Sequence, residues 1–368
     1  MVNGGRPTDR LQPSLTPRDY VEPSVYADEL AHVLTGWLPV CRVDQLGDPG
    51  SHVAVTLAGR PVIAVMQQDR TVAVLANVCA HRGSRLVDDG AGNSTALVCP
   101  YHRWSYRLDG SLIGGPLTDG TDLDGACLPT VRHIVWEGFV LVDLTGSLPE
   151  PDLSGLSAAI SPWRWSELVT VASTSFESDW NWKVMVENWI ECYHHLGTHR
   201  DSVEPFQPAR ATQIIENDGA PWACMTVDSV DGVAGPPEDW MPGITPDMAH
   251  HLSVWGAFPL LLGGSVSRYA FWLHVVPIDV IRHEVTWYVL GHRDQLDRYS
   301  TERAAEILAQ LSTVHAEDMV TCARVQAGLA SGMLSRLRFT PLESPIADFQ
   351  RWLSDRLHSG VASGTSSR

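Results

Sequence analysis

The sequence predicts an α+β chain of two antiparallel domains, and three observations predict it. Short β-rich runs separated by Gly, Asp and Asn turns fill residues 37–148. The stretch "TGSLPEPDLSGLS" at 145–157 mixes Pro, Gly and Ser and reads as a linker. Beyond it, further strand patterns lie between a helical pattern near 179–195 and a long one near 301–329. The expected divisions are an N-terminal arm over 1–35, a small antiparallel β domain over 36–148, and a second domain over 149–368 with helices at the two ends of a run of strands.

Each element has its own reason. The first 25 residues are rich in Pro, Ser, Thr and Asp and lack an apolar period, so any order there would come from packing elsewhere. In the β domain, "HVAVTLAG", "RPVIAVMQ", "TVAVLANV" and "GFVLVDL" carry the strand composition. In the second domain, "LVTVASTSFES" reads as a strand, followed by a helix from Asp179, a plausible cap, through about His195. "ATQIIEND", "RYAFWLHVVP" and "HEVTWYVLGH" read as further strands, and Thr301 to Leu329 as one long helix. No internal repeat is visible.

Composition excludes several classes. The chain has 368 residues, 26 basic and 43 acidic, for a formal charge of −17, which argues against nucleic acid or an anionic membrane as a partner. No apolar run approaches the roughly 18 to 20 residues of a bilayer span, and the first residues lack the apolar core of a signal peptide; the expectation is a cytoplasmic protein. Seven cysteines, an odd number, disfavour a disulfide framework and favour metal binding by some of them.

The β domain contains "CAHRG" and "CPYH", which supply Cys79, His81, Cys99 and His102 from two loops. Two thiolates and two imidazoles suit zinc or an iron–sulfur centre. The single residue between Cys79 and His81 is shorter than most zinc loops allow, and in each pair the cysteine precedes the histidine. That symmetry would let one iron take both cysteines and a second iron both histidines. These boxes, with the following Trp104, Tyr106, Asp109 and Gly110 of "W-x-Y-x-x-D-G", resemble the Rieske [2Fe–2S] domain. The resemblance implies that Cys79 and Cys99 hold the inner iron, and His81 and His102 the outer one. The remaining cysteines, Cys41, Cys127, Cys192, Cys224 and Cys322, show no pairing spacing and read as buried inert thiols.

"VENWIECYHHLGTHR" at 186–200 is the second cluster of ligand-type residues. Regular helical spacing would place His195 and His199 on one face, four residues apart. The segment also resembles the D/E-x-Y-H-x4-H motif of Rieske non-haem iron oxygenase α subunits, which falls on Glu191, Tyr193, His194 and His199. A bend at Gly197 would reconcile the two by carrying His199 back toward His194. Two histidines and a carboxylate would hold a mononuclear Fe(II). "AEDMVTCARVQAGL" resembles the family's third-ligand segment, in the register that gives Asp318 as the ligand and Gln326 as its closing residue; Glu317 is the competitor. The resemblance further implies that Glu191 orients His194 and bridges to a neighbouring subunit's His102, and that Asn188 and Tyr193 lie near the iron.

The family resemblance, over residues 36–335, implies a Rieske β domain joined to a helix-grip (START-like) catalytic domain, its antiparallel sheet flanked by helices. It implies the terminal oxygenase of a multicomponent system, using O2 to hydroxylate or oxidatively demethylate a small organic substrate. Cis-dihydroxylation of an aromatic ring is the alternative, and electron transfer without oxygenase activity the remote one. Glu191, where many ring-dihydroxylating members have Asp, orders these toward the monooxygenase branch that acts on quaternary amines. No G-x-G-x-x-G stands at a strand-to-helix turn, so electrons from NAD(P)H must come through a separate reductase, with or without a ferredoxin. A homotrimer is implied by the bridging role of Glu191. Candidate pocket walls are Trp222, Met225, Trp255, Phe258, Leu261, Phe271 and Trp272, with Trp255, Phe258 and Leu261 favoured.

Overall fold

Leu57 and Arg60 pair across a two-residue turn. Ala58 and Gly59 both have positive φ, at 48° and 74°, the backbone of a two-residue hairpin whose twist matches its strands. The computed structural model to which this turn belongs describes residues 11–364, with side chains as far as His358. It divides into one unit of Leu34–Glu150 and another that combines residues up to Val33 with those from Pro151 onward.

The Leu34–Glu150 unit contains β1 (Trp37–Arg42), β2 (Ser51–Leu57), β3 (Arg60–Met66), β4 (Val72–Ala76), β5 (Gly90–Asn93), β6 (Leu97–Val98), β7 (Ser105–Tyr106), β8 (Leu112–Gly114), β9 (Arg132–Trp136) and β10 (Phe139–Asp143). They form three antiparallel sheets, ordered β4-β3-β2-β5, β1-β10-β9 and β6-β7-β8. Ile63, Val65, Leu75, Leu97, Trp104, Tyr106 and Leu128 share one core with Cys79 and Cys99, so the two thiols are anchored in apolar packing.

The other unit is a seven-stranded antiparallel sheet: β11 (Leu168–Ser178), β12 (Thr212–Ile215), β13 (Trp222–Asp228), β14 (His251–Ala257), β15 (Leu261–Ser265), β16 (Ala270–Asp279) and β17 (Arg282–His292). The order β11-β17-β16-β15-β14-β13-β12 pairs the first strand with the last and then runs back along the chain. Helices α1 (Pro23–His32), α2 (Ser154–Ile160), α3 (Trp182–Trp189), α4 (Pro246–Ala249), α5 (Thr301–Ala330) and α6 (Ser344–Gly364) accompany it. Helix α5 packs on β11, β17 and α3, and α3 also packs on β14 and β16. Helix α5 buries Ala304, Ile307, Leu311, His315, Asp318, Cys322, Gln326 and Leu329, a stripe at steps of three and four. Asp318 and Gln326 therefore sit on its inward face.

Four expectations change. Helix α3 is capped by Asn181, whose side chain accepts from Lys183 N, rather than by Asp179, and it stops at Trp189. Helix α6 was not anticipated. Of the expected 1–35 arm, residues 1–10 lie outside the described residues, and Pro17–His32 fold into the sheet-bearing unit rather than standing apart. Its anchor is Glu29, which is fully buried and receives Lys183 Nζ at 2.5 Å and Trp182 Nε1 at 2.8 Å. Such a pair persists because each charge is hydrogen-bonded and neither is left alone. Finally, Cys127 is exposed, whereas Cys41, Cys192, Cys224 and Cys322 are buried.

Candidate metal centres

The two Cys-His loops repeat one backbone pattern. Cys79 N donates to Ser84 O and Gly83 N to Cys79 O; Cys99 N donates to Trp104 O and Arg103 N to Cys99 O. In each loop the residue four after the cysteine has positive φ, Gly83 at 72° and Arg103 at 63°. Glycine is free to adopt this conformation, whereas arginine does so at a steric cost.

These loops present two buried thiols and two exposed imidazoles. The rings of His81 and His102 lie 4.9 Å apart, and His81 stacks on Trp104 at 4.7 Å. Trp104 reaches that position because Gly115 has no side chain: a Cβ there would meet the indole at 2.6 Å. Burial pushes the Cys99 thiol up, but the amides of Tyr101 and His102 and the side chains of Cys79 and Ser84 outweigh it and hold it below its ordinary value. Tyr106 Oη lies 3.1 Å from Cys79 Sγ and accepts from Ala80 N at 3.1 Å. A thiol pair and an imidazole pair, with hydrogen-bond donors aimed at sulfur, fit a Rieske [2Fe–2S] cluster. Asp109 and Gly110 serve a turn: Asp109 accepts from Ser111 N and Oγ, and Gly110 has φ 87°.

The second constellation starts where α3 ends. Glu191 Oε2 accepts from Tyr193 N and, at 3.1 Å, from His194 N, so its side chain takes over as acceptor for the backbone as the helix stops. The chain continues as a 3₁₀ turn over Tyr193–Leu196. Thr198 N donates to His194 O at 2.8 Å, which folds His199 back toward His194. Helical periodicity therefore does not apply across this segment. Gly197 is not the bend: its φ is −111°, and a Cβ there would meet only His194 O at 4.0 Å.

The ligand atoms of His194, His199 and Asp318 lie within 4.8 Å of one another. His199 Nε2 is 2.9 Å and His194 Nε2 3.7 Å from Asp318 Oδ1. The far nitrogen of each ring is held by a carboxylate, His194 Nδ1 by Glu191 Oε1 at 2.6 Å and His199 Nδ1 by Glu317 Oε2 at 2.7 Å. Asn188 Nδ2 donates to Asp318 Oδ1 at 3.0 Å. Glu317, expected as a competing ligand, thus stands behind His199 and also accepts from Ser202 Oγ. Burial opposes the charge on Asp318, yet hydrogen bonding to His199, the two imidazoles and Asn188 hold its carboxyl below the usual range. Burial likewise opposes a proton on His194, but Glu191 and then Asp318 raise it. Two Nε2 atoms and one carboxylate converging from one side fit a mononuclear Fe(II).

His195 is turned elsewhere. Its Nδ1 is 3.0 Å from Gln207 O, and burial, with the neighbouring His194, depresses it to about 3. Tyr193 is 41% exposed, and its hydroxyl is not among the walls of the adjoining cavity.

That cavity, about 920 Å³, is lined by Trp189, Phe206, Arg268, Tyr269, Phe271 and Trp287 among others, with Asn188, Glu191 and the three converging residues at one side. The favoured wall residues Trp255, Phe258 and Leu261 do not line it, nor do Trp222, Met225 and Trp272; Phe271 does. Strand alternation explains the difference for Trp222, Trp255, Leu261 and Trp272, though not for Met225, which pairs with Val254. Val254, Gly264 and Phe271 pair across three strands on the cavity face, while Trp255, Gly263 and Trp272 pair on the other. Phe258 packs instead on Phe349 and Trp352 of α6.

The profile described as "Ring hydroxylating alpha subunit (catalytic domain)" matches residues 165–359. The chain belongs to this family. A Rieske [2Fe–2S] domain profile matches residues 36–131, and the cofactors are accordingly a Rieske cluster and a mononuclear iron. The family match extends beyond residue 335 into α6. The oxygenase subunit of glycine betaine monooxygenase from Chromohalobacter salexigens is 34% identical over 185 residues, 49% of this chain and 42% of that protein. The match thus spans less than half of that relative. The chloroplastic choline monooxygenase of Spinacia oleracea is 27% identical over 383 residues, 94% of this chain and 81% of that one. A quaternary ammonium Rieske monooxygenase studied for carnitine oxidation has the same fold, with TM-score 0.81 at 19% identity, covering 96% of this chain and 99% of its own.

Proposed function

We propose that this chain is the terminal oxygenase of a multicomponent system, and that it hydroxylates or oxidatively demethylates a small organic substrate as a monooxygenase. The carrying observation is the convergence of His194, His199 and Asp318 at the side of an aromatic-walled cavity. When bound there, iron supplies the activation of dioxygen, with electrons delivered through the Rieske cluster.

In this reading the chain's own residues do the following. His194, His199 and Asp318 are the mononuclear ligands, and Cys79, His81, Cys99 and His102 hold the cluster. Glu191 and Glu317 fix the two imidazoles so that each presents Nε2, and Asn188 steadies Asp318. The apolar walls exclude water from the substrate. Trp189, Phe271 and Trp287 lie in mutual contact, with ring centroids 5.4 to 5.9 Å apart. Rings of this kind suit a cationic amine through their faces. The relatives named for glycine betaine and choline, and the carnitine-oxidising structure, support a quaternary ammonium substrate.

Electrons come from NAD(P)H through a separate reductase, and a ferredoxin is an optional intermediary. The chain assembles as a homotrimer in which one subunit's His102 meets the next subunit's Glu191, which already holds His194; the exposure of His102 supports this. A cytoplasmic location accompanies the reading, and no helix among the described residues is long and apolar enough to cross a membrane.

Turnover of glycine betaine, choline and carnitine with a generic reductase under labelled O2 tests the proposal. One labelled atom in product or released formaldehyde is expected. A cis-diol carrying two labelled atoms from an aromatic substrate would replace it with the dioxygenase reading.

A further inference from the structure

The cavity beside His194, His199 and Asp318 has one strongly basic residue in its wall, Arg268, in a chain whose formal charge is −17. No ion pair joins its guanidinium to any carboxylate among the described residues, and its Nε is shut from solvent without a hydrogen-bond partner. The residue as a whole is half-buried, and an Nε–H left in that state loses hydration without compensation, a cost that an anionic ligand would remove.

The position is built. Arg268 lies in the turn between β15 and β16, where Val266 N donates to Tyr269 O at 3.0 Å. The backbone on either side is pinned: Trp163 Nε1 donates to Val266 O at 3.2 Å, Met241 N to Ser267 O at 2.8 Å, and Tyr299 Oη to Arg268 O at 2.5 Å. Ser267 Oγ donates to Ala234 O at 2.9 Å. The side chain runs along Gly235, where a Cβ would stand 3.5 Å from its Cδ and 3.6 Å from Nη1. The backbone that carries this cation is thus fixed at the cavity wall, which removes part of the ordering cost of binding.

We propose that Arg268 anchors a carboxylate of the substrate, and that the substrate class is therefore a small organic acid whose other end lies toward His194, His199 and Asp318. This rests on the oxygenase reading, because it treats the cavity as the place where substrate sits. A guanidinium matches a carboxylate with two parallel hydrogen bonds, whereas an alcohol of the same shape offers it no charge.

The test is calorimetric binding to the anaerobic full-length holoprotein, using pairs that differ only in carboxylate against CH2OH: glycine betaine with choline, and benzoate with benzyl alcohol. Wild type is expected to bind the acid of at least one pair about 10- to 100-fold more tightly than its alcohol. Arg268→Met should abolish that preference and leave the alcohol's affinity unchanged, and Arg268→Lys should retain part of it. A wild type that prefers no acid, or an Arg268→Met protein that weakens acid and alcohol alike, overturns the proposal. If Arg268→Met does not fold, as judged by its melting curve and cluster spectrum, Arg268→Gln takes its place with the same expected and contrary outcomes. Binding is read without turnover, so an Arg268-dependent acid preference in a protein that incorporates no oxygen would sink the oxygenase reading alone. Oxygen incorporation with no acid preference would sink this inference alone.

Discussion

His81 and His102 lie exposed on two short loops, with no carboxylate on either ring among the described residues, while His194 and His199 are each gripped from behind by a glutamate. The first pair is placed by backbone hydrogen bonds and by stacking on Trp104 and Tyr101. The second pair is placed by charge, inside a unit that buries Glu191 and Asp318. Backbone placement leaves a ring nitrogen available to the outside; carboxylate placement fixes which nitrogen faces inward. One region is arranged to be met, and the other to hold still.

The largest expected effect concerns the unit that buries Glu191 and Asp318. Burial pushes the Glu187 carboxyl up to about 7, partly offset by hydrogen bonds from Tyr20 and Gln350 and by Lys183. The folded state therefore holds this proton more tightly than the unfolded chain does. Its contribution is full below the ordinary carboxyl range and is lost as pH rises through about 7. That interval corresponds to about 3 kcal/mol at most. The melting temperature should fall between pH 5 and pH 8, and Glu187→Gln should flatten the fall; an unchanged slope would show that this acid does not dominate.

Next is Glu317→Gln, which keeps shape but removes charge behind His199. Iron affinity should drop about 10- to 100-fold, read by competition with a chelator, while the cluster spectrum stays. An effect on the cluster would erase the distinction between the two regions. In the other region, Tyr106→Phe removes the hydrogen bond to Cys79 sulfur and should lower the cluster potential by about 60 mV, the one-electron equivalent of one such bond. The smallest change is expected from Gly197→Ala, within about 0.5 kcal/mol, because the site has room and its φ suits any residue. A large loss in a denaturant melt would restore glycine as the hinge.

How far the sequence spoke differs between these same regions. The β domain was legible because its strands are short and bounded by turn residues, and its candidate ligands sit in two fixed-spacing boxes. Helix α5 was legible from its three-four stripe, which puts Asp318 inward and Glu317 at the edge; that asymmetry was a usable signal for which acid meets the histidines. The helix expected through about His195 stops at Trp189 instead, because periodicity does not register a side chain competing with the backbone, as Glu191 does at Tyr193 and His194. The cavity walls were misplaced for another reason. Register across β14, β15 and β16 decides which aromatics share a face, and only the paired glycines Gly263 and Gly264 hint at it: Cβ atoms there would meet Trp255 at 2.2 Å and Phe271 at 2.6 Å on opposite faces. The polar network of buried Tyr20, Glu29, Lys183 and Gln350 with half-buried Glu187 joins segments far apart in sequence, so no local pattern announces it.

In the proposed reading, two separate residue sets hold two separate metal groups. Iron quantitation with the visible spectrum, on wild type and His199→Ala side by side, tests it most directly. The variant should lose one iron per chain, keep the cluster spectrum unchanged and lose turnover. Full iron content with turnover intact, or a collapsed cluster spectrum in a folded protein, would contradict it.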